Sequence, residues 1–166
     1  MATSGKRAWV DNPYGKALGD LDVMMALGDT PERLREIVVR LTPAQMASSY
    51  APGKWTAAQL LVHLAQCEYV FGGRVRMALA EAGYTVQPFD QDAWLHREAQ
   101  TDGAVAFRAY DAARQMNLLL FRSLTDAERA KVLLHPERGE MHVEWILEML
   151  AGHERHHLAH LQTIAG

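Results

Sequence analysis

The sequence predicts an all-α protein built as a four-helix bundle, and three observations support this fold class. Thr56 with Gln59, and Thr125 with Glu128, form capping boxes that satisfy backbone N–H groups at a helix start. Apolar residues recur at helical spacing in four substantial segments, and no segment alternates between apolar and polar residues as a half-buried strand does. The chain of 166 residues is long enough for one domain, residues 1–166, with a single core.

The start of the chain is predicted to lead into the first helix. Residues 1–15 combine glycine and proline with small polar residues and are expected to form a flexible lead-in. The first clear helix is predicted to begin at Thr30, which can cap it, with Pro31 in its first turn. Gly28 predicts a break before this helix, so that residues 18–27 form only a turn or two.

The other predicted elements follow in chain order. They are a short helix from residue 42, a long helix from the Thr56 box to about Ala82, a connection over residues 84–102 that is helical at 92–98, a helix over 104–123, a short helix from the Thr125 box to about Leu134, a loop over 135–140 and a final helix over 142–164.

Composition and charge exclude several classes of function. The formal net charge is −3 and the basic residues are scattered among acids, so we expect no nucleic-acid partner. No uninterrupted apolar stretch reaches about 18 residues, so we expect no membrane span. A single cysteine, Cys67, and the absence of a signal-peptide pattern predict a protein of the reducing cytoplasm.

Histidines are concentrated near the C-terminus, where four of the eight lie between residues 153 and 160. On a helix, His153, His157 and His160 share one face, and this face is also the apolar one. Two imidazoles one turn apart can bind one metal ion. They can equally be core histidines with hydrogen-bond partners. His63 on the second long helix also points into the core, so a third inward histidine exists.

The order and spacing of several motifs resemble those of the DinB-like superfamily over nearly the whole chain. The motifs are Pro52-Gly53-Lys54-Trp55-Thr56, His63-Leu64-Ala65, and His153-Glu154-Arg155-His156-His157 followed by Gln162, and segments 88–94 and 135–140 resemble the single-domain members. The resemblance implies a four-helix bundle in which His63, His153 and His157 bind a divalent metal. Nickel or zinc is the expected ion, with iron or manganese as alternatives, and the expected assembly is a homodimer.

The resemblance leaves the reaction open. Three histidine ligands leave a coordination position for water or substrate, which is typical of a catalytic site. We expect a metal-dependent hydrolase or a thiol transferase that acts on a small molecule, in the second case with a low-molecular-weight thiol. The alternative is a bundle without catalytic activity, either a metal-binding protein or a dimeric structural or stress-response protein.

The residues around the three histidines are expected to have structural roles or to lie at the surface. His160 is expected to support the site structurally, and His156 is expected to lie at a helix interface. Cys67 is expected to be a packed core residue, because free cysteines are usually buried; a fourth ligand or a reactive thiol are the alternatives. Glu154 and Arg155 are predicted to lie on a solvated face.

Arg74 is predicted to point inward beneath His63. A buried guanidinium needs a partner for its charge. Asp90 and Asp92 are the predicted partners, in a pair that is structural rather than catalytic.

Overall fold

The computed structural model describes residues 11–166, so the first ten residues of the predicted lead-in lie outside the described range. In chain order the elements are α1 (Gly15–Leu18), α2 (Val23–Val38), α3 (Pro43–Met46), α4 (Ala57–Ala80), α5 (Gln91–Arg97), α6 (Gly103–Ser123), α7 (Asp126–Arg129), β1 (Val132–His135), β2 (Gly139–His142) and α8 (Val143–Ala165). None of the helices in this part of the chain has the length and apolar character needed to cross a membrane.

The four long helices α2, α4, α6 and α8 form the predicted four-helix bundle. α4 packs along α6, and α8 packs against α1, α2 and α4. Each long helix places an apolar stripe in the interior, where Leu34, Leu61, Phe121 and Leu150 are fully buried. The capping boxes at Thr56 and Thr125 open α4 and α7 as predicted, and α3 begins with another at Thr42.

The predicted start of the first long helix was wrong, because α2 begins at Val23 and continues without a break to Val38. Asp22 caps it by accepting a hydrogen bond of 2.8 Å from the Met25 N–H. Thr30 is not a cap. It is buried inside the helix, where its hydroxyl donates to the Ala26 carbonyl at 2.8 Å.

A proline inside a helix normally removes one hydrogen bond, and here another helix supplies the missing donor. Pro31 has no N–H with which to bond the carbonyl of Leu27, four residues earlier. The Arg114 guanidinium of α6 donates to that carbonyl at 3.1 Å. The helix can therefore pass through Pro31 because its neighbour in the bundle satisfies the freed acceptor.

The predicted short helix ends before Leu134, and a β-hairpin takes the place of its last residues and of the predicted loop over residues 135–140. α7 ends at Arg129, and β1 and β2 then pair antiparallel with Leu133 opposite Met141. Leu134 points outward but its backbone bonds both Tyr84 and Val86 at 2.8 Å. A strand of four residues with an exposed leucine shows too little alternation to be recognised from sequence.

A glycine brings the short helix α1 against α8 beside the histidines. A Cβ on Gly152 would lie 2.5 Å from the carbonyl oxygen of Tyr14, which is closer than a methyl group can approach. The absence of a side chain therefore allows this contact. It places the Tyr14 ring 5.0 Å from the ring of His153.

Candidate metal centre

Three histidines from the second and last long helices lie together inside the bundle. His63 lies on α4, and His153 and His157 lie one turn apart on α8. The Nε2 atom of His153 is 2.9 Å from Nε2 of His63 and 2.9 Å from Nε2 of His157. All three side chains are buried. The structure thus brings together the three residues that the sequence analysis selected.

Burial keeps these imidazoles neutral. It lowers the pKa of His63 to about 4. It lowers the pKa of His153 and His157 as well, and neighbouring histidines lower both further. Neutral imidazole is the form that binds a metal ion.

The contacts among the three rings fit a shared cation better than hydrogen bonds. One ring nitrogen of a neutral histidine can act as one donor or as one acceptor, whereas Nε2 of His153 faces two other Nε2 atoms. Two nitrogens at this separation can both contact an ion at the usual distance of about 2.0–2.1 Å. The buried Nδ1 atoms of His153 and His157 have no hydrogen-bond partner among residues 11–166, so packing must orient these rings.

Aromatic side chains provide that packing. The Trp55 ring lies 4.7 Å from the His63 ring and 6.2 Å from the His157 ring. Tyr14 meets His153 edge to face. Trp55 belongs to the connection just before α4, so its place in the sequence motif 52–56 was the only signal of this role.

Cys67 lies one turn after His63 and faces the same cluster. Its Sγ atom is 3.6 Å from Nε2 of His63, and His63, Cys67 and His153 are close enough to hold one ion. Burial raises the pKa of the Cys67 thiol well above its usual value, and Glu68 and Glu154 raise it further. Without a metal, Cys67 is therefore a protonated thiol in the core and not a reactive thiolate.

The two remaining C-terminal histidines lie toward the surface. His156 is exposed and His160 is half-buried, with its ring stacked on Tyr50 at 3.8 Å. His156, His157 and His160 also form a group of potential ligands. His157 therefore belongs to the buried cluster and to this outer one.

The prediction that Glu154 is solvated was wrong. Glu154 is buried against Arg114, which donates at 2.8 Å to one of its carboxylate oxygens and at 3.0 Å to Glu68. Asn117 also donates to Glu68 at 2.9 Å. Burial raises the pKa of Glu154, and the charge of Glu68 raises it further against the opposing charge of Arg114. We call Glu68, Arg114 and Glu154 the buried ion cluster.

The sequence did contain a signal for this cluster. Glu154 lies four residues before Leu158 and four after Leu150, so it occupies a position of the apolar stripe of α8. Glu68 and Arg114 occupy comparable positions on α4 and α6. A charge at a core position predicts a buried partner, but the pattern alone does not say which partner.

The predicted pairing of Arg74 was also wrong. Arg74 is buried as expected, but it donates to the backbone carbonyl of Gln87 at 2.7 Å. No carboxylate of residues 11–166 forms an ion pair with it. Asp90 instead caps α5 by accepting from the Ala93 N–H, and Asp92 is exposed.

A cleft of about 560 Å³ connects the histidine cluster with the surface. His63, Cys67 and His153 form part of its wall. Apolar residues, including Phe71 and Trp145, line much of the rest. This volume lies in the range of small-molecule sites.

Comparison with known proteins identifies the family. A family model described as the DinB superfamily matches residues 26–161. The chain belongs to the DinB superfamily. The resemblance inferred from the histidine motifs is thereby confirmed.

Two bacterial proteins that are similar to this chain carry names that refer to metal. "Putative metal-dependent hydrolase YfiT" of Bacillus subtilis is 28% identical over 147 residues, which cover 86% of this chain and 82% of the relative. "Putative metal-dependent hydrolase OB0782" of Oceanobacillus iheyensis is 26% identical over 137 residues, which cover 82% and 80%.

A solved structure of YfiT shares the fold of this DinB-superfamily chain. It superposes with a TM-score of 0.81 over 96% of this chain and 90% of YfiT, at 23% sequence identity. The YfiT structure is described as having "an unusual four-helix bundle topology". The predicted fold class is confirmed.

The buried imidazoles predict that the metal-free DinB-superfamily protein becomes less stable as the pH falls. Because the folded-state pKa values of His63, His153 and His157 are depressed, their contribution is complete above the unfolded pKa of about 6.5 and is lost below it. Between about pH 7 and pH 5.5, we expect a loss of about 1.3 kcal/mol for each ring. The raised pKa of Glu154 acts in the opposite sense and offsets part of this loss.

Urea denaturation of chelator-treated protein at the two pH values would measure this dependence. The His63→Gln variant has one titrating ring fewer, so its unfolding free energy should fall by about 1 kcal/mol less than that of the unmodified protein. Equal losses in the two proteins would show that His63 is not held neutral by burial.

Proposed function

We propose that this protein is a metal-dependent hydrolase of a small molecule, and that His63, His153 and His157 hold its divalent ion. The observation that carries the proposal is the convergence of three neutral imidazoles, two of which, His63 and His153, line an open cleft. The relatives named as metal-dependent hydrolases support it as well. Three protein ligands leave room for substrate, unlike a closed structural site.

The chain's own residues have separate parts in this proposal. His63, His153 and His157 supply uncharged nitrogen donors, and Trp55 and Tyr14 hold the rings in place. A divalent ion bound there would supply Lewis acidity for the polarisation of a carbonyl or phosphoryl group. Apolar side chains on the cleft wall, such as Phe71 and Trp145, would contact the apolar part of a bound substrate.

The imidazole donors narrow the choice of ion to a few transition metals. Imidazole suits zinc, nickel, copper and iron, so the ligands agree with our expectation of nickel or zinc and also admit iron. Manganese, the other alternative, prefers oxygen donors and is less well matched. If Cys67 joined the site, its soft sulfur would favour zinc.

Two other functions remain as alternatives. A thiol transferase would use the same cleft, which is wide enough for a low-molecular-weight thiol. A metal-binding or dimeric structural or stress-response bundle would bind the ion without turning over a substrate. The predicted homodimer has a candidate face on α6, where Val105, Met116 and Leu119 are exposed.

A metal-replacement assay tests the proposal. Purified protein would be stripped with a chelator, reloaded separately with nickel, zinc, iron or manganese, and assayed against small esters, amides and phosphoesters. We expect hydrolysis that is lost on chelation and restored by one of these ions. Metal binding without hydrolysis would favour the non-catalytic alternative, and consumption of an added thiol would favour the transferase.

A further inference from the structure

The wall of the cleft carries two guanidinium groups whose hydrogen-bond donors are largely unused within residues 11–166. Arg74 and Arg138 both line the cleft, and neither forms an ion pair within residues 11–166. Arg74 is buried, yet only one of its N–H groups, the one that donates to Gln87, meets an acceptor within the described chain. A guanidinium has five N–H donors, so the others are available to a ligand.

A buried histidine adds an uncharged donor beside the two arginines. Nδ1 of His135 accepts a hydrogen bond of 3.2 Å from the Glu137 N–H. The ring proton must then be on Nε2, which makes Nε2 a donor. Burial lowers the pKa of His135, and the charges of Arg74 and Arg138 lower it further against the opposing charge of Glu137.

Two acids, Asp90 and Glu137, also line the cleft, and neither forms an ion pair with Arg74 or Arg138 within residues 11–166. Asp90 is engaged as the cap of α5, and Glu137 is exposed at the turn of the hairpin. Burial lowers the pKa of Arg74, Tyr84 raises it, and the charge of Arg138 lowers it. A bound anion would accept from the unused donors of both arginines and would offset the repulsion between the two cations.

The positions along α4 connect Arg74 with the histidine cluster. His63, Cys67, Phe71 and Arg74 follow one another at intervals of four, four and three residues, so they form one stripe, and all four line the cleft. Eleven residues of α-helix correspond to about 16 Å. A ligand lying along this stripe would meet cations at one end, an aromatic ring in the middle and the histidines at the other end.

We propose that Arg74, Arg138 and His135 bind the oxyanion group of a small organic acid, a carboxylate or a phosphate, whose opposite end reaches His63 and His153. This inference names the class of substrate for the proposed function. It rests on that function for the reaction, but the binding of the anion does not depend on it. The arginines bind the anion through charge-assisted hydrogen bonds. Phe71, over whose ring the Arg74 guanidinium lies at 5.1 Å, holds that side chain against the wall.

Calorimetric titration of the full chain tests the inference without an activity assay. The probes are inorganic phosphate, succinate and the uncharged analogue succinamide, each titrated into metal-free and into zinc-loaded protein. We expect phosphate or succinate to bind the metal-free protein with a millimolar or lower Kd and succinamide not to bind. The stronger of the two anions would distinguish a phosphate from a carboxylate as the preferred group.

Variants assign the binding to the proposed residues. Arg74→Gln and Arg138→Gln should each weaken anion binding to metal-free protein by about tenfold or more, the size of a charge-assisted hydrogen bond. Arg33→Gln, on the exposed face of α2, is the matched control and should not change the Kd. Because Arg138 is exposed, its variant tests the proposal even if Arg74→Gln fails to fold.

The outcomes separate this inference from the proposed hydrolase. If neither anion binds metal-free protein, or if binding is unchanged in both arginine variants, the inference is wrong. Binding only to zinc-loaded protein, with the arginine variants unaffected, would also overturn it while leaving the metal centre intact. Binding that depends on the arginines in a protein that never binds metal would support the anion site and refute the proposed function.

Discussion

The His153→Ala variant is expected to lose stable metal binding. Nε2 of His153 lies 2.9 Å from Nε2 of both other histidines. Removal of the His153 ring therefore leaves His63 and His157 without their common neighbour. Loss of a group that only orients a ligand costs about 10–100-fold in metal affinity, so loss of a ligand should cost more than about 100-fold. Competition with a chromophoric chelator would measure the affinities for nickel and zinc.

Two further variants make the measurement specific. His156→Ala removes an exposed ring from the same helix and should leave the affinity nearly unchanged. Cys67→Ala should also retain most of the affinity if the donors are the three histidines. A large loss in Cys67→Ala with little loss in His157→Ala would instead assign the ion to His63, Cys67 and His153.

The Arg114→Met variant is expected to lower the free energy of unfolding by about 3–5 kcal/mol at neutral pH. Arg114 is fully buried between Glu68 and Glu154, and methionine would leave both carboxylates in the core without a cation. It would also leave the Leu27 carbonyl opposite Pro31 without its donor. Urea denaturation monitored by circular dichroism would measure the change.

A control on the same helix and two further substitutions in the buried ion cluster test the cause of this loss of stability. Arg108→Met on α6 replaces an exposed arginine and should change stability by less than about 0.5 kcal/mol. Adding Glu68→Gln and Glu154→Gln to Arg114→Met removes the unpaired charges and should recover part of the loss. A destabilisation of Arg114→Met no larger than that of Arg108→Met would mean that the buried ion cluster contributes little.

Local patterns predicted most of the fold. The capping boxes at Thr56 and Thr125 act between residues three apart, so they can be recognised from the sequence alone. The errors involved partners distant in sequence. From sequence alone Pro31 predicts a helix start, because the donor that satisfies the Leu27 carbonyl lies 87 residues away in sequence, on Arg114. β1 was missed because its backbone partners include the connection before α5.

The candidate site could be predicted to a similar extent. His63, His153 and His157 were recognised because helical periodicity places them on inward faces, and the family motifs associate them. The surroundings were not recognised. Trp55, Tyr14 and the partner of Glu154 depend on how separate segments meet, and periodicity along one helix carries no information about that.

The β1–β2 hairpin and the long helices contribute different residues to the cleft, and they differ in how well they tolerate substitution. The histidines stand on long helices whose positions are fixed by the bundle, whereas His135 and Arg138 stand on a hairpin attached to the bundle through the backbone of Tyr84 and Val86. Surface turns tolerate substitution and insertion far better than packed helices do. At the proposed site, changes of length or charge at this turn would therefore alter which anion is bound while the histidines on the helices stay in place.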